Sequence, residues 1–292
     1  MKHCTVCPRN CAVDRTHTPG YCKALWEPVV YCTEVHTGEE SVISGSRGSG
    51  AVFFAGCNLG CVFCQNDDIS QKCYDPAVPP PQLAETFIKL EADGVHNINL
   101  VTPGHFAPQI AEAIRLAKNN GINIPFVYNT NGYDALASLE MLDGLIDIYM
   151  PDLKFADDAH GQRYCDVPNY FSMAQQALRE MYRQVGDPMI RKGIMQKGLL
   201  IRHLMMPGLT EDTMAVLDWI KANTPTALVN LTKQYRPLYR AGEYEEINRR
   251  VTAAEYRTAA AYFRKLGLAA PTGGYFYDFM QRCRRIVHSR RR

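Results

Sequence analysis

The spacing of apolar residues changes character along this chain, and from residue 51 onward it alternates between two periods. Ala51 to Ala55 is a continuous apolar run bounded by glycines, the pattern of a buried strand. Leu83, Phe87 and Leu90 then share a helical face, Ile98 to Val101 reads as a strand, and Ile110, Ile114 and Ala117 mark a helix closed by Gly121. The alternation continues with a strand over Pro125 to Tyr128, a helix near Leu136 to Leu142 and a strand over Ile146 to Met150. A longer helical insert carries Phe171, Ala174, Leu178, Met181 and Val185 on one face, and Leu199 to Met205 and Leu228 to Leu231 read as the last two strands. Thr252-Ala253-Ala254-Glu255 is a capping box, opening a helix whose apolar face carries Tyr256, Ala260 and Phe263. Six β/α units of this kind imply parallel strands with right-handed crossovers, hence an open or closed α/β barrel.

The first 50 residues lack this alternation. Their apolar positions are scattered, cysteines are dense, and the segment ends in Gly45 to Gly50, GSRGSG. That stretch is a turn into the core, since a phosphate loop would carry a lysine and follow a strand instead of preceding one. The expected organisation is therefore a cysteine-rich extension over 1–50, a barrel over 51–240, and a C-terminal helix with a basic tail over 241–292.

Composition narrows the class. With 292 residues, 46% of them hydrophobic, the chain can bury one large core. A formal charge of +2 argues neither for nor against a nucleic-acid partner, and none is expected. Arg282, Arg284, Arg285, Arg290, Arg291 and Arg292 read as a solvated tail. Eleven cysteines in a secreted chain would suggest disulfides, but Met1-Lys2-His3-Cys4 opens no apolar signal segment and no membrane-spanning run appears. A reducing cytoplasm, where thiols serve metals, is the expected location.

Cys57, Cys61 and Cys64 are spaced C-x3-C-x2-C on the loop leaving the first strand. Three thiolates can grip a 4Fe–4S cluster and leave one iron without a protein ligand; the alternatives are a three-ligand zinc site or three unrelated buried thiols. Cys4, Cys7, Cys11 and Cys22 form a second set, open to structural zinc, a second iron–sulfur cluster or unliganded thiols. Cys32 and His36 are spare ligands or a packed thiol and a surface imidazole, while Cys73, Cys165 and Cys283 are isolated and read as structural.

Parallel β/α barrels gather function at the carboxyl ends of their strands. Distinctive polar groups recur at those places: Thr102-Pro103-Gly104-His105, Asn129-Thr130-Asn131-Gly132, and Asp152 with Lys154. Their repetition at one mouth points to a ligand site. Asp152 and Lys154 point the same way along a strand end and can also form a plain salt bridge, and Arg202 and His203 can be a satisfied core pair.

On these motifs the sequence resembles the radical S-adenosylmethionine (radical SAM) superfamily, in particular its pyruvate formate-lyase activating enzyme-like branch. Cys-Pro-Arg-x-Cys openings are similar to those of certain uncharacterised members. The resemblance covers residues 51 to about 240 and implies a partial (β/α)6 TIM-like barrel. It also implies S-adenosylmethionine chelated to the open iron, reductive cleavage to a 5′-deoxyadenosyl radical, and hydrogen abstraction from a protein or peptide. The electron donor would be a flavodoxin or ferredoxin. Asn66 matches the family's cofactor-contacting asparagine, and Phe63 is expected near the adenine. The family's Gly-Gly-Glu falls on Pro103-Gly104-His105, a departure in which Thr102, Gly104 and His105 would meet the cofactor without the glutamate. Asp-Thr-Asn-Gly becomes Asn129-Thr130-Asn131-Gly132, Asp-Leu-Lys survives as Asp152-Leu153-Lys154, Arg202 lies in the Arg-His to Pro-Gly stretch, and Gln234 stands where the activators have histidine. Two aspartates hold a monovalent cation in those enzymes; Asn129 removes one charge. Small-molecule modification, peptide crosslinking and a non-catalytic iron–sulfur redox protein are the alternative functions.

Overall fold

A computed structural model describes residues 3–73 and 76–271. The arginine-rich end and Cys283 lie outside the described residues.

The chain runs β1 (Val30–His36), α1 (Ser41–Ser44), β2 (Ser49–Phe54), α2 (Asp67–Ser70), α3 (Pro80–Ala92), β3 (Ile98–Val101), α4 (Ala107–Asn119) and β4 (Phe126–Thr130). It continues with α5 (Leu136–Leu142), β5 (Ile148–Pro151), α6 (Asp158–Cys165), α7 (Tyr170–Val185), β6 (Met189–Arg191), β7 (Ile194–Leu204), α8 (Thr210–Asn223), β8 (Leu228–Thr232) and α9 (Ala253–Lys265). Six strands, β2, β3, β4, β5, β7 and β8, pair in parallel in that order. These are the six expected from the sequence, and they form a partial barrel of the radical SAM type. Every residue of β2, β4 and β5 is buried, as both faces of such strands are covered, which is why residues 51–54, 126–128 and 148–151 read as apolar runs.

Two antiparallel strands were not expected. β1 pairs with the outer edge of β2, and β6 forms a hairpin with the start of β7. In β1 only His36 is fully buried, so no apolar alternation announces the strand. His36 itself is 9% exposed, its Nδ1 2.9 Å from Glu34 Oε1, and is therefore not the surface imidazole its sequence suggested.

Helices cover the outside because their apolar faces need the sheet. On α3, Leu83, Phe87 and Leu90 are buried as their spacing predicts, with the Phe87 and Phe126 rings edge-on at 5.4 Å. Truncating such a ring to alanine costs about 3–5 kcal/mol. The capping box at Thr252 and Glu255 forms, starting α9. That helix fully buries only Ala259; Tyr256, Ala260 and Phe263 line a cavity of about 310 Å³ beside β8. Across the open side of the barrel, Asn230 Nδ2 donates to Glu40 Oε1 at 2.7 Å and Asn97 Nδ2 donates to Ile43 O at 2.7 Å, tying the α1 segment to β8 and β3.

Residues 3–29 pack against the first half of the barrel. Ser138 Oγ donates to Val6 O at 2.6 Å, Gln109 Nε2 to Trp26 O at 2.5 Å, and the buried Arg15 donates through Nη1 to His105 O at 2.6 Å. Cys4, Val6, Cys22 and Ala24 belong to the same apolar cluster as the strand and helix cores. No described helix is long and apolar enough to cross a membrane.

Candidate functional site

Above the carboxyl ends of the strands lies a cavity of about 230 Å³. The loop after β2 supplies Cys57, Cys61, Phe63, Cys64 and Asn66 to it, and the next strand ends supply Thr102, Asn129, Thr130, Asp152, Lys154, Arg202 and Gln234. Twelve residues far apart in sequence thus meet at one mouth. Gly104 and His105 do not. A Cβ on Gly104 would sit 2.6 Å from Asp134 Oδ1, so glycine is required there by packing. His105 is 1% exposed and directs Nε2 to Ala55 O at 2.8 Å, holding the end of β2 instead of facing the cavity.

Each thiol of the loop has a polar neighbour. Leu59 N and Asn131 Nδ2 both donate to Cys57 Sγ at 3.4 Å, Cys64 Sγ lies 3.3 Å from Ser70 Oγ, and Cys61 Sγ lies 3.2 Å from Cys165 Sγ. Burial pushes the Cys57 thiol up to about 12 and Cys64 to about 11, with the charge of Cys61 adding to both. Cys61 is raised well above the usual thiol range by its hydrogen bond with Cys165, then by burial. So raised, the three thiols rest in the neutral form. Binding metal would exchange their protons for a cation.

Opposite the thiols sits a charged network. Asp152 accepts from Lys154 Nζ at 2.6 Å and from Arg202 Nε at 3.2 Å. Burial opposes its ionisation, but Lys154 and Arg202 outweigh that and hold the carboxyl below its ordinary value. Arg202 also donates to Asn129 Oδ1 and, at 3.4 Å, to Glu39 Oε2. Glu39 in turn accepts from Asn99 Nδ2 at 3.1 Å; burial raises its carboxyl despite the guanidinium. Thr102 adopts φ +59, an unfavourable region for a β-branched residue, at the end of β3. The Asn66 Oδ1 atom is buried without a hydrogen-bond partner. Phe63 packs against Phe155 and Tyr235 at centroid distances of 6.5 and 5.8 Å.

Several residues here carried no usable sequence signal. Glu39 arrives from the β1–α1 connection, and Cys165 from the end of α6, 104 positions from its sulfur neighbour. Asn131, by contrast, belongs to the polar stretch expected at the mouth, and its amide bridges Cys57 Sγ and, at 2.7 Å, Asn58 Oδ1. Ser70, Gln65 and Arg236 also line the cavity.

The second thiol set sits behind the same loop. Cys4, Cys7 and Cys22 are buried and Cys11 is half-buried. Burial pushes Cys7 to about 12, and the charges of Cys22, Cys11 and Cys4 all bear on it. Among the described residues no three His, Cys, Asp or Glu side chains are grouped to hold a single metal ion, in this set or in the loop set.

A parallel partial barrel whose mouth faces a three-thiol loop across a charged network defines a class of barrel proteins built for a cluster and a polar ligand. The chain belongs to the radical SAM superfamily, whose family model matches residues 51–220. An uncharacterized protein of Methanocaldococcus jannaschii is 35% identical over 277 residues, covering 92% of this chain and 76% of that one. Among solved structures, Streptococcus suis SuiB is similar over 75% of this chain at 15% identity with a TM-score of 0.52; the match spans 47% of SuiB. A domain of pyruvate-formate lyase-activating enzyme from Bacteroides vulgatus matches 57% of this chain and 91% of its own length, at 15% identity and a TM-score of 0.41. The superfamily implies a 4Fe–4S cluster and S-adenosylmethionine. The three-sulfur donor set and the unpartnered Asn66 oxygen beside it fit both groups.

Proposed function

We propose that the chain cleaves S-adenosylmethionine reductively at a 4Fe–4S cluster held by Cys57, Cys61 and Cys64, and that the radical formed takes a hydrogen atom from a protein or peptide. The observation that carries this reading is the cavity in which the three thiols face Asp152, Lys154 and Arg202. When bound, cluster and cofactor supply the chemistry, an electron breaking the sulfonium C–S bond to leave methionine and a 5′-deoxyadenosyl radical.

The chain's own residues bind and orient. Three thiolates leave one iron open for a ligand. Asn66 Oδ1 is a ready acceptor for the cofactor ammonium, and Lys154 and Arg202, fixed by Asp152 and Glu39, present positive charge to a carboxylate. Thr102, Asn129, Thr130 and Gln234 complete the polar wall, while Phe63, Leu204, Tyr235 and Leu238 make an apolar one suited to an adenine ring. The peptide or protein substrate rests on the likeness of the thiol loop, Asn129 to Gly132 and Asp152 to Lys154 to pyruvate formate-lyase activating enzymes. The same likeness supports a flavodoxin or ferredoxin as electron donor.

Anaerobic incubation with dithionite and S-adenosylmethionine should yield 5′-deoxyadenosine, and Cys61→Ala should abolish it. A Cys61→Ala protein that cleaves the cofactor at the wild-type rate would overturn the reading.

A further inference from the structure

The proposed reaction uses three thiols, and four others remain in residues 3–29. Cys7 opens a tight turn closed by Asn10 N donating to its carbonyl at 3.0 Å, and across the arms of that turn Ala12 N donates to Cys4 O at 3.2 Å. A second turn, closed by Lys23 N donating to Gly20 O at 3.0 Å, brings Cys22 back towards Cys11. Asn10, Ala12 and Lys23 all take positive φ to make these turns. Between the two arms stands Gly20, where a Cβ would lie 3.4 Å from Cys11 Sγ and 3.4 Å from Cys22 Sγ. The absence of that carbon leaves space among the sulfurs.

Arg15 gives the independent observation. Its residue is 1% exposed, and among the described residues its nitrogens donate to the carbonyls of Ala24, Leu25 and His105 and approach Cys4 Sγ at 3.9 Å. No carboxylate pairs with it. A guanidinium cannot be deprotonated in a protein, and a buried charge is costly without an opposite one. Neutral thiols do not supply that charge. Four thiolates around a metal cluster do, because the assembly as a whole is anionic. The peptide N–H groups of Arg9 and Ala24 already bond to Cys7 and Cys22, as peptide donors to metal-bound sulfur do.

We infer that Cys4, Cys7, Cys11 and Cys22 bind a second 4Fe–4S cluster, with Arg15 as its buried counter-charge. Zinc, the other occupant of a four-cysteine knuckle, needs tetrahedral sulfurs drawn to about 3.8 Å of one another by Zn–S bonds of about 2.3 Å. The gap at Gly20, where a Cβ would lie 3.4 Å from two of the sulfurs, leaves room among them for the larger cluster. The site abuts the catalytic loop. Gly56 has φ +81 and a Cβ there would lie 2.3 Å from the Cys22 carbonyl oxygen, Arg9 Nε donates to Asn58 O at 2.8 Å, and a Cβ on Gly60 would lie 2.5 Å from the Tyr21 hydroxyl.

The test is metal analysis of the full chain, reconstituted without oxygen with ferrous iron and sulfide in the presence of equimolar zinc. Wild type should hold about eight iron and eight sulfide per chain, and the Cys57→Ser/Cys61→Ser/Cys64→Ser protein about four of each. Cys7→Ser/Cys22→Ser should also hold about four, so failure of the catalytic cluster and failure of this one are read in different proteins. If the triple variant is insoluble, the difference between wild type and the Cys7→Ser/Cys22→Ser protein decides alone. A triple variant that holds one zinc and no iron, or no metal, overturns the inference; so does a Cys7→Ser/Cys22→Ser protein with the iron content of wild type.

Discussion

Arg202 meets Asp152 twice, through a backbone bridge between the two strands and through a 3.2 Å contact from its Nε to Asp152 Oδ1. The guanidinium is therefore fixed at both ends of its side chain, and Asp152 is the group that orients both cations of the cavity. Replacing Asp152 with alanine should leave cluster iron unchanged and weaken S-adenosylmethionine binding by about 2 kcal/mol, over tenfold in affinity. Equilibrium binding to the reconstituted protein checks this, and unchanged affinity would place the cofactor elsewhere.

Because Arg202 bridges Asn129 and Asp152, a guanidinium already stands between the two positions that hold a monovalent cation in the activating enzymes. Cofactor cleavage should therefore vary less than about twofold when sodium, potassium and lithium are exchanged at constant ionic strength. A strong dependence on one of these ions would show that the guanidinium does not fill that role.

His105 should make the fold acid-sensitive. Burial, aided against it only by the Ala55 hydrogen bond, depresses its ring from 6.5 to about 3, and Arg15 adds to the depression. In the unfolded chain it binds a proton near its ordinary value, so below that the unfolded state holds more protons than the folded one. Its contribution is complete above about 6.5 and is lost as pH falls towards about 3, at about 1.4 kcal/mol per unit. His203, also depressed by burial, acts with the same sign. Urea midpoints measured across this window should fall less steeply for His105→Gln than for wild type; parallel curves would assign the acid sensitivity to other groups.

At Gly56 a side chain is excluded twice, by φ +81 and by collision with the Cys22 carbonyl. Gly56→Ala should destabilise the fold by on the order of 2 kcal/mol and lower the iron content of the catalytic loop, since backbone must move to admit the carbon. Denaturation monitored alongside iron analysis separates the two effects. A variant with wild-type stability and iron would mean that the knuckle and loop are not in firm contact.

The six parallel strands were legible because strands covered on both faces are mostly apolar, as Ala51 to Ala55 is throughout. The thiol loop was legible because its three cysteines lie within eight positions of one another. What lay hidden was whatever depends on the third dimension. Nothing near Glu39 in sequence announces a carboxylate that reaches Arg202, and Cys165 looked like an isolated thiol because its sulfur neighbour is 104 positions away. Gly104 and His105 misled in the opposite sense. They occupy the expected strand end, but Asp134 leaves no room for a side chain at Gly104 and His105 is bonded to Ala55 O, so neither lines the mouth.

The packing of residues 3–29 on the barrel has a consequence for synthesis. Val6 waits for Ser138, 132 positions later, and Arg15 for His105, 90 positions later. A growing chain therefore presents Cys4, Cys7, Cys11 and Cys22 to the cell before the surface that shelters them has been made. At roughly 5–20 residues per second the interval is on the order of ten seconds. During it these thiols are open to oxidants and to metal alike.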